Sequence, residues 1–105
     1  MPEMTFSVRW PDGRTEDCYS PSLVMHDHLE PGASYSVDDF TRRSTHALGL
    51  ASERVRAAYG LACTSAMATV AQIRRSAAVF GPAEVVEVVR MHPPLPRADT
   101  TSVAS

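Results

Sequence analysis

Residues 4–20 read MTFSVRWPDGRTEDCYS, and apolar and polar side chains alternate over the first seven of them. Such alternation places the apolar side chains on one face of an extended strand. Those apolar residues are Met4, Phe6, Val8 and Trp10. Because residues 11–13 read PDG, a turn sequence, we predict a β-hairpin with strands over residues 4–10 and 15–20. A lone hairpin is only marginally stable in water, so the rest of the chain must cover its apolar face.

A helix is predicted to follow from Val37. Ser36 precedes it and Asp39 lies three residues further on, an arrangement typical of a capping box that satisfies free amide donors. Gly49 is expected to interrupt this helix. The side chains predicted to be buried along it are Phe40, Ser44, Ala47 and Leu48.

Two further helices are predicted. Ser52 is a candidate cap for a short helix that stops at Gly60, since glycine readily adopts the left-handed conformation of a helix end. Thr64 or Ser65 is expected to cap the third helix, which should end near residues 80–82. Its predicted buried stripe consists of Met67, Val70, Ile73 or Arg74, and Ala77.

The remaining segments complete an α+β fold. Residues 83–91 are rich in valine and apolar at both parities, which is typical of a strand in the interior of a sheet. Residues 23–29 fit either a short edge strand or a loop. We therefore predict the order ββαααβ, with two to three helices packed on one face of a three-stranded sheet. Residues 1–92 should form a single domain, and residues 93–105 a flexible tail.

The overall composition restricts the class of partner. The chain has 105 residues, a net charge of -2 and a sequence pI of about 6.0, so it lacks the positive field that attracts nucleic acid or anionic lipid. Its longest uncharged run is too short and polar to span a bilayer. With no secretory leader pattern at the N-terminus, the expected location is the cytoplasm, where the two cysteines would remain thiols. Nothing in the sequence suggests a cofactor.

Two kinds of site chemistry compete with simple packing as an explanation of the cysteines. Cys18, Cys63, His26 and His28 are a conceivable zinc set, but the close ligand pairs of structural zinc sites are absent. Cys63 lies just before the third predicted helix, where the helix dipole favours a thiolate nucleophile. His46 or His92 would supply a base only if the fold brings it close. Burial of both thiols in the core is the favoured interpretation.

A third alternative is a winged helix-turn-helix regulator, in which exposed arginines touch DNA phosphates. The candidate pairs are Arg54 with Arg56, and Arg74 with Arg75. The slightly acidic chain and the spread of its arginines over all helices argue against nucleic acid, and favour solvated helix faces.

The hairpin turn and the end of the second strand are the favoured contact region for a protein partner, because loops that carry Arg, Trp, Asp and Tyr offer varied groups. The candidate binding residues are Arg9, Trp10, Asp12, Cys18, Tyr19 and Ser20. For Trp10 the competing interpretation is core packing. Pairing at the edge of the hairpin would also produce a homo-oligomer.

Five segments carry a resemblance to a known family: residues 9–13 (RWPDG), 18–22 (CYSPS), 35–40 (YSVDDF), 51–55 (ASERV), and 59–60 leading to Cys63. Together they cover residues 4 to about 80, and they resemble the small bacterial nitrogen starvation response proteins. Both cysteines match this pattern, whereas His26 and His28 depart from it.

The resemblance implies a gene neighbourhood more than a mechanism. The genes of this family resemble members of a nitrilase-containing cluster, which also encodes a radical SAM protein, an acetyltransferase and a flavin-dependent oxidoreductase. No catalytic residue is implied. The leading hypothesis is a non-enzymatic accessory protein whose partner is a protein, with an enzyme of that cluster as the candidate. The alternative is a small thiol enzyme or small-molecule binder that uses Cys63.

Overall fold

The described part of the chain folds as a four-stranded antiparallel sheet with two α-helices packed against it. The computed structural model describes residues 3–60 and 64–93. The strands are β1 (Met4–Arg9), β2 (Thr15–Ser20), β3 (Ser34–Ser36) and β4 (Val85–His92), in the spatial order β2-β1-β4-β3. The helices are α1 (Val37–Tyr59) and α2 (Thr64–Ala77), with a short 3-10 helix at Leu23–Asp27. The predicted α+β class is confirmed.

The hairpin formed by β1 and β2 agrees with the sequence prediction. Its register runs from Met4 opposite Ser20 to Arg9 opposite Thr15. The Gly13 amide donates to the carbonyl of Trp10 at 2.8 Å, and Gly13 adopts a φ of 89°, which glycine tolerates without strain. The turn chemistry of three residues therefore sets the register of the whole ribbon.

Residues 23–29, for which a strand or a loop was expected, begin instead with the 3-10 helix. The Ser22 hydroxyl caps it by accepting from the Val24 amide at 3.2 Å. Two residues of this helix, Val24 and Met25, are buried, and the helix packs against α1. The short turn thus adds apolar side chains to the core directly after the hairpin.

Helix α1 begins where the sequence predicts and continues further. The Ser36 hydroxyl accepts from the Asp39 amide at 3.1 Å, which confirms the cap. The predicted interruption at Gly49 and the second helix capped by Ser52 are wrong, because one helix runs on to Tyr59. An interior glycine costs only about 1 kcal/mol relative to alanine. Burial of the neighbouring apolar side chains outweighs that cost; they are Ala47, Leu48 and Ala51, all fully buried.

The continuity of α1 predicts that Gly49→Ala raises the free energy of unfolding by roughly 0.5–1 kcal/mol, since alanine favours the helix and a Cβ at this position meets no atom within 4 Å. Gly60→Ala is the matched control. Gly60 ends α1 with a φ of 76°, so alanine there should destabilise by about 1 kcal/mol. Urea unfolding followed by circular dichroism measures both. A destabilised Gly49→Ala variant would mean that the helix breaks at this position.

The buried stripe of helix α2 agrees with the prediction only in part. The buried residues are Ala66, Thr69 and Ile73, whereas Met67 is 48% exposed. Of the predicted stripe, Ile73 is buried and Val70 and Ala77 are partly buried against the core. The helix ends at Ala77, earlier than predicted, and Phe80 then folds back onto the core.

Among the described residues, the sheet contains one strand more than predicted. β3 is only three residues long and pairs antiparallel with β4, from Ser34 opposite Glu87 to Ser36 opposite Val85. β4 itself lies between β1 and β3, which confirms the prediction of an interior strand for residues 83–91. A strand as short as β3 leaves almost no periodic signal in the sequence.

The core lies between the helices and one face of the sheet. α2 contacts β2, and α1 contacts β3 and β4. Phe6, Val8 and Trp10 are all buried, so the helices cover the apolar face of the hairpin as required. The Trp10 ring stacks on Phe80 at a centroid distance of 5.8 Å and meets Phe40 edge-on at 5.6 Å.

Among the described residues, no helix has the length and apolar character needed to cross a membrane. The predicted tail begins at Pro93, and residues 94–105 lie outside the described part of the chain.

Candidate functional site

The second face of the sheet is not covered by either helix in the described part of the chain. Side chains alternate along β1, β2 and β4, so every inward apolar residue has outward neighbours. We call the outward set the open face. It consists of Thr5, Ser7, Arg9, Thr15, Asp17, Tyr19, Val85, Glu87, Val89, Arg90 and His92, most of which are exposed.

The strand register arranges most of the open face into three rows that cross β2, β1 and β4. The rows are Tyr19–Thr5–His92, Asp17–Ser7–Arg90 and Thr15–Arg9–Glu87. Directly opposed side chains on one face of a sheet lie close enough to interact. Each row therefore places a residue of β1 between residues that are far apart in the sequence.

A β-bulge in β4 determines which of its residues reach the open face. Val8 pairs with Val88 and Ser7 pairs with Arg90, so Val89 is the extra residue. Without the bulge, alternation from buried Val88 would bury Arg90 and expose Met91. With it, Met91 is buried and Arg90 is exposed. The bulge explains why this strand is apolar at both parities.

Two of the rows contain polar contacts. The Arg9 guanidinium lies 3.2 Å from the Glu87 carboxylate, an exposed ion pair. The Ser7 hydroxyl donates to Asp17 Oδ1 at 2.5 Å, and Ser7 is only 8% exposed although it belongs to the open face. The two cations of these rows therefore differ, since Arg9 is paired within its row and Arg90 has no ion pair in the described residues.

A shallow cavity of about 380 Å³ lies over the first two rows. Its lining residues are Thr5, Ser7, Asp17, Arg90 and His92. The cavity exists because Ser7 and Thr5, the central residues of these rows, have short side chains, whereas a long arginine occupies the centre of the third row.

The predicted contact residues fall into an exposed group and a buried group, because neighbouring residues of a strand point to opposite faces of the sheet. Arg9, Asp12 and Tyr19 are exposed, and Arg9 and Tyr19 both belong to the open face. Trp10, Cys18 and Ser20 are buried, with at most 1% of each exposed. The Ser20 hydroxyl donates to the carbonyl of Ser22 at 2.8 Å, so it holds the turn after β2.

Sequence reasoning missed a hydrogen-bond network around Glu16 on the helix-covered side. Its carboxylate accepts from Trp10 Nε1 at 2.8 Å, from Ser76 Oγ at 2.7 Å and from Gln72 Nε2 at 2.6 Å. Gln72 Nε2 also donates to the carbonyl of Asp17 at 3.0 Å. Helix α2 is thereby tied to strand β2 and covers part of its outer edge.

The network changes the acidity of Glu16. Partial burial alone would raise its pKa, but the hydrogen bonds from Ser76, Gln72 and Trp10, with a contribution from the charge of Arg14, outweigh burial. The net result is a pKa below the ordinary value of 4.5.

A lowered carboxylate pKa predicts acid sensitivity. Because folding favours the ionised form of Glu16, its contribution to stability is complete above pH 4.5 and is lost as the pH falls through the lower folded pKa. Glu16→Gln should flatten this part of the curve of unfolding free energy against pH. The control is Glu53→Gln, which removes an exposed surface carboxylate. Equal slopes for wild type and Glu16→Gln would contradict the prediction.

Of the two cysteines, only Cys18 lies in the described part of the chain. Cys18 is buried, and burial, with the nearby carboxylates of Glu16 and Asp17, raises the pKa of its thiol to about 12. A thiol of that acidity stays protonated near neutral pH and is a poor nucleophile. Cys63, the candidate nucleophile, lies outside the described residues.

The proposed metal ligands are not brought together in the described part of the chain. No group of three His, Cys, Asp or Glu side chains there has a geometry that would hold a metal ion. His26 Nε2 lies 3.0 Å from the carbonyl oxygen of Pro93, while the His28 ring meets His46 edge-on at 5.2 Å. His92 belongs to the open face.

Arg43 of α1 holds the segment that carries His26 and His28. Its guanidinium pairs with the Asp39 carboxylate at 2.8 Å, donates to the carbonyl of His28 at 3.1 Å and lies over the Tyr35 ring at 4.9 Å. Arg43 therefore has a structural explanation that needs no ligand.

Over residues 37–77, apart from the undescribed 61–63, one long α1 replaces two of the three short helices that a winged helix-turn-helix would need. Two of the arginines considered for phosphate contact have partners within the chain. Arg56 pairs with Glu53 at 3.2 Å, and Arg54 Nη1 lies 3.5 Å from Ser22 Oγ.

Comparisons with known proteins agree with the resemblance in the sequence. A search of curated proteins and a search of solved structures found no match. The family model described as nitrogen starvation-induced protein NitG matches residues 5–91 of the 105-residue chain. That range includes both helices and all of the hairpin and β4 except one terminal residue of each. The chain belongs to the family of the nitrogen starvation-induced protein NitG.

Proposed function

We propose that this chain is a non-enzymatic accessory protein of the nitrogen-starvation response, and that it docks onto a protein partner through the open face. The partner is an enzyme of the nitrilase-containing gene cluster that the family resemblance implies. The single observation that carries the proposal is a sheet face with ordered charged rows and no helix over it in the described part of the chain.

The composition of the open face suits a protein interface. Arg9 and Arg90 balance Asp17 and Glu87, so the face is close to neutral and offers both signs of charge. The same face also has apolar and aromatic area, because Tyr19, Val85 and Val89 are between 36% and 55% exposed. Tyrosine and arginine are enriched at interfaces, where they supply much of the binding free energy.

The edges of the sheet support docking on the face in preference to strand addition. At the β2 edge, Gln72 binds the carbonyl of Asp17, which occupies an acceptor that an added strand would need. The opposite edge, β3, has only three residues. Homo-oligomer formation by pairing at the hairpin edge, which the sequence suggested, is therefore the less favoured arrangement.

The test is co-expression of the full chain with each enzyme of the cluster, beginning with the nitrilase-type hydrolase. We expect one of them to co-purify. Arg9→Glu and Val85→Arg, which alter the open face outside the cavity, should each abolish capture. The control is Arg75→Glu, on the exposed surface of α2, which should leave capture intact. A monodisperse monomer that captures no enzyme, or capture that survives both open-face variants, would contradict the proposal.

A further inference from the structure

The cavity of the open face has opposite charges on opposite sides. Asp17 and Arg90 flank Ser7 in one row, on strands separated by β1. At the usual spacing of neighbouring strands, their Cα atoms are about 10 Å apart. No ion pair joins them in the described residues, in contrast to Arg9 and Glu87, which are on adjacent strands and meet at 3.2 Å.

Several groups around the cavity have hydrogen-bond donors or acceptors that no other described residue uses. Ser7, at the floor, is 8% exposed and donates to Asp17 Oδ1, which fixes the carboxylate at the rim. No other side chain of the described residues donates a hydrogen bond to the Asp17 carboxylate. The Arg90 guanidinium and the His92 imidazole have no hydrogen-bond partner in the same part of the chain. Within residues 3–60 and 64–93, their donors and acceptors are therefore unused.

From this arrangement we infer that the cavity binds a small zwitterion of the free α-amino acid type. The Arg90 guanidinium binds the ligand carboxylate, since its planar donors match a carboxylate in two parallel hydrogen bonds. Thr5 and His92 stand beside that position and supply further polar contacts. Asp17 binds the ligand ammonium on the opposite side of Ser7.

The charge pattern discriminates against simpler ligands. An anion without an ammonium group would be attracted by Arg90 but repelled by Asp17. An amine without a carboxylate would be attracted by Asp17 but repelled by Arg90. A zwitterion satisfies both charges, and a volume of about 380 Å³ falls within the range of ordinary ligand cavities. The inference goes beyond the proposed docking function and does not depend on a protein partner.

The test is a titration of the isotopically labelled full chain, followed by the backbone amide signals of Thr5, Ser7 and Arg90. The probes are the common α-amino acids, with acetate and methylammonium as compounds of single charge. We expect at least one amino acid to cause saturable shifts of these signals. Acetate and methylammonium should bind at least about tenfold more weakly.

Variants assign the binding to the cavity. Arg90→Gln and Asp17→Asn should each weaken the affinity for that amino acid by roughly tenfold to a hundredfold, as expected for loss of a charged hydrogen bond. Arg75→Gln, a surface change on α2, is the control and should leave the affinity unchanged. The inference is overturned if no amino acid gives saturable shifts, if acetate binds as tightly, or if Arg90→Gln binds with wild-type affinity.

Discussion

Replacing Trp10 with alanine is expected to lower the free energy of unfolding by about 3–5 kcal/mol, the usual cost of removing a large buried aromatic side chain. Trp10 is 1% exposed and contacts both Phe40 and Phe80. Its indole N–H also donates to Glu16. The loss would therefore leave a cavity between sheet and helices and remove a donor from a partly buried carboxylate.

Urea unfolding followed by far-ultraviolet circular dichroism measures the effect, because the variant has no tryptophan fluorescence. Trp10→Phe is the matched control. It keeps most of the aromatic packing and removes the hydrogen bond to Glu16, so it should cost roughly 1.5–3 kcal/mol. If Trp10→Ala unfolds at nearly the wild-type urea concentration, Trp10 does not lie at the centre of the core.

Aspartate substitutions at Val89 and Met91 are expected to have very different effects. Met91 is 3% exposed on the helix-covered face, so Met91→Asp buries an unpaired carboxylate and should cost more than about 3 kcal/mol. Val89 is 40% exposed at the bulge, so Val89→Asp should cost about 1 kcal/mol or less.

This comparison tests the bulge itself. In a regular strand, residues two apart share a face, and the two substitutions would then have similar effects. Thermal unfolding of both variants beside the wild type provides the measurement. Similar losses of stability at the two positions would contradict the bulge and, with it, the placement of Arg90 on the open face.

The parts of the fold that follow from local chemistry were predictable from the sequence. The hairpin depends on alternation and on Gly13, and the start of α1 depends on the cap at Ser36. The continuation of α1 through Gly49 depends on tertiary packing, which propensity does not include. The three residues of β3 are too few for a periodic pattern, and they form a strand only because β4 lies beside them.

The candidate site was only partly predictable for the same reason. Arg9 and Tyr19 belong to a recognisable strand, and their shared parity could have placed them on one face. Arg90 and His92 joined them only through the register of β4 and its bulge, which a single sequence does not specify. The Glu16 network has a comparable origin, because Gln72 and Ser76 are contributed by α2, more than fifty residues away.

The central claim is that the sheet has one face covered by helices and one open, functional face. Solvent paramagnetic relaxation with a soluble gadolinium chelate tests it most directly, read from the valine methyl signals. The account predicts that the methyl groups of Val8, Val86 and Val88 remain sharp, while those of Val85 and Val89 broaden. Broadening of Val88, or protection of Val85 and Val89 in the isolated chain, would contradict it.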